Sequence, residues 1–170
     1  DTYFERGCSA YVLVDGPKWS NAQANAKSLG GNLVTINDAE ENQWIHNMYR
    51  EIGKDMDPDR YNTRHIFTGL KRGSGTGKQN TNAAGFSDGW VSGQDSAWRP
   101  PYWGETGAIT DADGNIQGTN LEGHQGGADY GALVVMRGFN TCSSCDGMTW
   151  NDFPEWMHDG KGMAELPLCD

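Results

Sequence analysis

The stretch Leu29-Gly30-Gly31-Asn32-Leu33-Val34-Thr35-Ile36, running directly into Asn37-Asp38-Ala39-Glu40-Glu41-Asn42, decides the fold. Upstream of it, Trp19, Ala22, Ala26 and Leu29 recur at helical spacing, and Gly30 stands where a left-handed C-cap would end that helix. Downstream, Asp38 with Glu41 three residues on forms a capping box. Trp44, Ile45, Met48, Tyr49 and Ile52 then make one apolar stripe, closed by Gly53. Two helices therefore flank the stretch, the first with a small-residue face and the second with an aromatic one that reads as core.

Strand patterns surround this pair. Tyr11-Val12-Leu13-Val14 reads as a first strand and Ile66-Phe67-Thr68-Gly69-Leu70 as a buried one. Leu133-Val134-Val135-Met136, Met148-Thr149-Trp150 and Met163-Ala164-Glu165-Leu166 supply late strands. Between them, 54–65 is charged and turn-rich, and 71–84 is polar and glycine-rich with no apolar face, a surface loop. Gly73-Ser74-Gly75-Thr76-Gly77-Lys78 lacks the spacing of a phosphate-binding loop, and no helical pattern follows it.

Composition narrows the function classes. The 170 residues, 36% hydrophobic, suit a single domain, 1–170, with one core and inserted loops near 54–65, 71–84 and 106–128. The 24 glycines and seven tryptophans describe a loop-rich, aromatic chain with no apolar run long enough for membrane insertion. A net charge of -10 argues against nucleic acid, whose phosphates call for clustered Lys and Arg, and makes cations the better small partners. The chain starts at Asp1 without an initiator Met or a signal-peptide pattern, so a processed product or a module of something larger is expected.

Cysteine usage is even. Cys8 and Cys169 lie near the two ends and would bridge if the ends meet, in an oxidising compartment. Cys142-Ser143-Ser144-Cys145 suits a loop disulfide, a redox pair or half a zinc site, with the loop disulfide expected. His124 and His158 with Cys142 and Cys145 could be imagined as a zinc set or a Cys-His pair. No H-E-x-x-H, nucleophile elbow or second spaced ligand pair accompanies them, so an enzyme is not expected.

The opening stretch and the late Trp150-Asn151-Asp152 together resemble the C-type lectin domain. The first resembles the turn and strand between that family's two helices, and the second its calcium-coordinating strand. Ile66 to Leu70 resembles the family's Trp-Ile-Gly-Leu core segment, and Gly89-Trp90-Val91-Ser92-Gly93 and Tyr102-Trp103-Gly104-Glu105 its paired tryptophan segments. The resemblance implies an α+β C-type lectin-like fold: two helices, a small antiparallel sheet joining the termini, and a second sheet carrying a long calcium- and sugar-binding loop. It also implies calcium-dependent binding of glycans at cell surfaces, outside the cell. The alternative is a C-type lectin-like module that binds protein, peptide or another surface without calcium.

Site residues follow from the same resemblance. Asn151 and Asp152 fall at the metal-binding pair, Glu105 at the glutamate of the Glu-Pro-Asn sugar motif, and Asp129 near a further acidic ligand, with Glu122 as its rival. Calcium takes roughly 6–8 oxygen donors, which these carboxylates and amides supply. Neighbouring strand residues point to opposite faces, so Asn151 and Asp152 share one ion only if the strand bends or a carbonyl takes part. Glu105 implies mannose-, fucose- or glucose-type diols. Thr106 and Gly107 depart from the family's proline and asparagine, and Ala26, Leu133, Glu155 and Leu166 stand near where its four cysteines are expected. Loss of those cysteines with retention of the calcium residues resembles a bacterial surface adhesin more than an animal lectin. Separately, Asp111-Ala112-Asp113-Gly114-Asn115 alternates oxygen donors around a glycine and reads either as a second metal site of Asp111, Asp113 and Asn115 or as the turn of a hairpin.

Overall fold

Strand β2 (Ser9–Asp15) and strand β10 (Lys161–Pro167), from opposite ends of the chain, pair antiparallel along their whole lengths, from Ser9 opposite Pro167 to Asp15 opposite Lys161. The computed structural model describes residues 3–52, 65–71, 90–94, 98, 102–103, 108–110, 116–117, 130–134, 149–153 and 161–169. On one side of the central pair lies β1 (Tyr3–Arg6), antiparallel to β2. On the other, β4 (His65–Lys71) runs parallel to β10 and carries the sheet on through β8 (Tyr130–Val134), β9 (Thr149–Phe153) and β5 (Tyr102–Trp103). The pair β6 (Ala108–Thr110) and β7 (Ile116–Gln117) ends the order, and β3 (Asn32–Leu33) joins β10 off this path. The two sheets expected from sequence are thus one hydrogen-bonded path, linked where β4 meets β10.

Helix α1 (Trp19–Ser28) ends as its sequence dictates. Gly30 adopts a φ of +98°, its N–H donates to Lys27 O at 3.0 Å, and the Gly31 N–H donates to Ala26 O at 3.1 Å. This is the Schellman pattern, in which a residue without a Cβ turns left-handed so that the last carbonyls find donors. Trp19, Ala22 and Ala26 are buried, and the Trp19 indole donates to Thr68 O at 2.9 Å. Leu29, read as part of that face, is 51% exposed, because the chain has already left the helix there.

Helix α2 (Ala39–Ile52) opens on Asp38, whose Oδ1 accepts the Glu41 N–H at 2.7 Å. The reciprocal bond is displaced by one residue: Glu41 Oε1 accepts the N–H of Asn37 at 2.7 Å, and its Oε2 accepts the Tyr11 hydroxyl at 2.7 Å. The capping carboxylate therefore also ties the helix to β2. Ile45 and Met48 are buried as expected, and Trp44 meets the Tyr11 ring edge to face at 4.9 Å. The side chains of Tyr49 and Ile52 lie outside the described residues.

Two core clusters result. One gathers Tyr11, Val34, Ile36, Ile45, Met48, Ile66, Leu70, Trp90, Trp150 and Met163, and the other packs α1 through Val14, Trp19, Ala22, Ala26, Leu33, Phe67 and Ala164. Backbone bonds cross between them: Val34 N–H to Met163 O at 2.8 Å, Gly69 N–H to Val34 O at 2.9 Å, and Val91 N–H to Gly69 O at 2.9 Å. A Cβ at Gly69 would sit 2.6 Å from the Leu33 carbonyl oxygen, so this crossing needs glycine. Strand β1 was not legible in the sequence, β2 extends beyond Tyr11–Val14, and β8 lies earlier than the expected 133–136 run. His65 and Lys71, expected in loops, are the first and last residues of β4. The rest of 54–65 and 71–84 lies outside the described residues.

Between β10, β2 and α2 sits a partly buried carboxylate, Glu165. Its Oε2 accepts the Ser9 hydroxyl at 2.7 Å and its Oε1 the Thr35 N–H at 3.3 Å. Burial pushes the Glu165 carboxyl above its ordinary value of 4.5 and the charge of Glu41 adds to this, while the Ser9 and Thr35 bonds oppose it. Burial, together with the bond to Glu41, likewise raises the Tyr11 phenol above its ordinary range.

The Cys8–Cys169 disulfide is present, with a Cα–Cα distance of 5.1 Å, and next to it Leu168 N–H donates to Cys8 O at 2.8 Å. Cys142 and Cys145 lie outside the described residues. Closing a loop this long is worth about 5 kcal/mol in the chain-entropy picture. Replacing both Cys8 and Cys169 by Ser should therefore lower stability by several kcal/mol in urea titration, with the far-UV spectrum unchanged at low denaturant. Equal midpoints for the two proteins would contradict this account.

A second expectation concerns pH. A carboxyl whose folded pKa is raised stabilises the fold fully below the unfolded value, and that contribution is lost as pH rises through the folded value. Glu165→Gln should gain stability relative to the unaltered chain as pH goes from about 4 to about 7. Denaturant titrations at several pH values measure the difference, and a flat or falling difference would show that ionising Glu165 costs nothing.

Candidate functional site

The candidate ligand pair Asn151 and Asp152 lies on β9, the strand between β8 and β5. In register, Asn151 faces Ala132 and Asp152 faces Gly131 across the antiparallel ladder, so the opposing residues carry one methyl group or none. On the other side β5 runs parallel, with Trp103 opposite Trp150. Glu105 follows Trp103 by two residues, and Asp129 immediately precedes Tyr130, the first residue of β8. Glu105, Asp129 and Glu122 themselves lie outside the described residues.

What fixes β9 is Trp150. It is fully buried, its ring meeting Trp90 at 5.7 Å and Trp98 at 5.6 Å, both edge to face. Its indole N–H donates to Asn42 Oδ1 of helix α2 at 2.8 Å, a buried bond between residues 108 apart in the chain. Edge-to-face aromatic contacts follow from ring quadrupoles and add to the burial of these large side chains. The sequence placed Trp150 on a late strand; Asn42, in the first turn of helix α2, gave no signal of this role.

The segment between β6 and β7 was read either as a second metal loop or as a hairpin. The strands on either side of it pair antiparallel, Ile109 with Gln117 and Thr110 with Ile116, which either reading allows. Asp111, Asp113 and Asn115 lie outside the described residues. Among the described residues no group of three or more His, Cys, Asp or Glu side chains could hold a metal. The sequence-derived donor set, Glu105, Asp129, Asn151 and Asp152, consists of oxygen donors alone and fits a hard cation such as calcium.

A different surface feature is an open groove of about 640 Å³ beside β1 and β2, lined by Tyr3, Val12, Val14, Asn25, Leu29 and Leu166 among others. It offers apolar surface rather than converging charge and lies at the far end of the strand order from β9. Among the described residues no helix is long and apolar enough to cross a membrane.

No family model matches the chain, and no curated protein matches it in sequence. Solved structures do. Human lithostathine superposes with a TM-score of 0.61 at 16% identity, over 97% of this chain and 96% of its own. The C-type lectin CEL-I from Cucumaria echinata gives 0.61 at 17% identity, over 98% and 96%. A calcium-independent type II antifreeze protein gives 0.58 at 13% identity, over 97% and 91%. Matching these structures over nearly its whole length, with two helices and an antiparallel sheet, the chain has the C-type lectin-like fold.

Proposed function

We propose that this protein is a non-catalytic, calcium-dependent carbohydrate-binding module whose site is formed by Glu105, Asp129, Asn151 and Asp152. The observation that carries the reading is the strand order β8–β9–β5. The three segments holding these four oxygen-donor residues, far apart in sequence, belong to or adjoin three neighbouring strands. When bound, the ion supplies a coordination shell that two vicinal sugar hydroxyls complete. The chain's own carboxylates accept hydrogen bonds from those hydroxyls, and the Asn151 amide both offers its oxygen to the ion and can donate to the sugar. Glu105 favours mannose-, fucose- or glucose-type diols. The role proposed is adhesion to cell-surface glycoconjugates or polysaccharide, and the Cys8–Cys169 bridge supports an extracellular setting.

A second reading has its own support. A calcium-independent antifreeze protein shares the fold over 97% of this chain. Thr106 and Gly107, in place of proline and asparagine after Glu105, are compatible with a module that binds a protein, peptide or other surface without metal. Fold alone does not choose between the two.

Calcium decides between them. An ion that binds only the native state stabilises it by mass action, by about 2.7 kcal/mol at a hundred times its dissociation constant. The melting temperature should rise by several degrees in millimolar calcium and fall back with chelator. A glycan array should light up with calcium and go dark with chelator. Asn151→Ala and Asp152→Ala should each abolish glycan binding in a folded protein, whereas Trp150→Ala should cost about 3–5 kcal/mol of stability. Undiminished, calcium-dependent glycan binding by Asp152→Ala would refute the site; binding indifferent to chelator would favour the second reading.

A further inference from the structure

We infer that Asn42 is a positioning residue for the site on β9: by accepting the Trp150 indole N–H, it fixes from helix α2 the strand that carries Asn151 and Asp152. This rests on the reading given above for what those two residues hold. The argument starts from the indole, which has one donor and no acceptor, so a buried Trp150 has one directional bond to give. It gives that bond to Asn42 Oδ1, and both residues are fully buried. The edge-to-face contacts with Trp90 and Trp98 set the tilt of the Trp150 ring. The hydrogen bond adds the tie to helix α2.

Position in the sheet gives the bond its leverage. Trp150 immediately precedes the proposed ligand pair and lies in register between Leu133 of β8 and Trp103 of β5, in the middle strand of the three that carry or adjoin the site. A ligand constellation has to be held to within about 0.5 Å of its productive geometry. Groups that orient metal ligands without touching the metal typically change affinity about 10- to 100-fold when removed. Asn42 acts at one further remove, through the backbone of β9, and the lower end of that range applies.

The test uses the whole 170-residue chain and two readouts: amide hydrogen exchange without ligand, and titration with calcium chloride alone. Asn42→Leu, which removes the acceptor, should speed exchange at residues 149–153 and weaken calcium binding about tenfold. Asn42→Asp keeps the acceptor and should restore both toward the unaltered chain. Trp19→Phe serves as control, because it deletes another buried indole donor, the one bonded to Thr68 O on β4. It should lower the melting temperature while leaving β9 exchange and calcium affinity alone. Unchanged β9 exchange in Asn42→Leu, or faster exchange with unchanged calcium affinity, would overturn the inference. If Asn42→Leu does not fold, Asn42→Ser is read the same way, since its side chain is too short to reach the indole. Failure of the unaltered chain to bind calcium would instead refute the proposed function before any variant is made, and β9 exchange would still decide whether Asn42 holds the strand.

Discussion

The pairing of β10 with its neighbours is the constraint on which the other elements depend. β10 bonds β2 along seven residues, takes β3 at Ala164 and Glu165, and runs parallel to β4 at Lys161 and Gly162. Both core clusters draw on it, Met163 facing one and Ala164 the other, as alternation along a strand requires. Remove it and β2, β3 and β4 lose the strand they share. A Cβ at Gly162 would meet the tip of the Leu33 side chain at 2.5 Å and the Ala22 Cβ of α1 at 3.1 Å, so the close approach of α1 to this strand leaves little room for a side chain there.

Polar groups buried beside this framework bind its layers in fixed relative positions. Tyr11 to Glu41, Ser9 to Glu165, Trp19 to Thr68 and Trp150 to Asn42 each join elements distant in sequence. Such bonds contribute about 1 kcal/mol net when made and cost more when one partner is deleted, because the remaining group is left buried without a partner. Their larger effect is on uniqueness. Apolar surfaces alone tolerate sliding, whereas a buried donor and acceptor specify one register between helix and sheet.

How much of this was legible in the sequence depends on the range of the interaction. The two helices were, because the Schellman glycine at Gly30 and the Asp38–Glu41 cap are local and the apolar periodicity of 44–48 is strong. Leu29 was misplaced on the buried face, since spacing continues past a helix end that the cap geometry sets. β1 was missed because Tyr3-Phe4-Glu5-Arg6 is short and half charged, and its pairing comes from the turn at Gly7, where φ is +60°. The antiparallel pairing of β6 with β7 could be read, but not the parallel contacts of β9 with β5 and of β10 with β4, whose partners are separated by long connections. At the candidate site the Asn151-Asp152 pair stood out through the resemblance of Trp150-Asn151-Asp152 to a calcium-coordinating strand. The Asn42 acceptor did not, for no local pattern ties a helix residue to an indole 108 positions away.

The closure of the sheet by its last strand also governs when this protein can fold. Contacts between distant segments dominate it, a topology that folds slowly because loop-closure entropy precedes the reward. During synthesis β2, β3 and β4 emerge first and stay without their common neighbour until Lys161–Pro167 has cleared the ribosome. Over that interval Tyr11, Leu33 and Phe67 lack the cover that Met163 and Ala164 give their clusters. The Cys8 thiol meanwhile waits through 161 residues of translation for its partner. The disulfide can therefore close only after β10, the strand that joins the sheet, has been made.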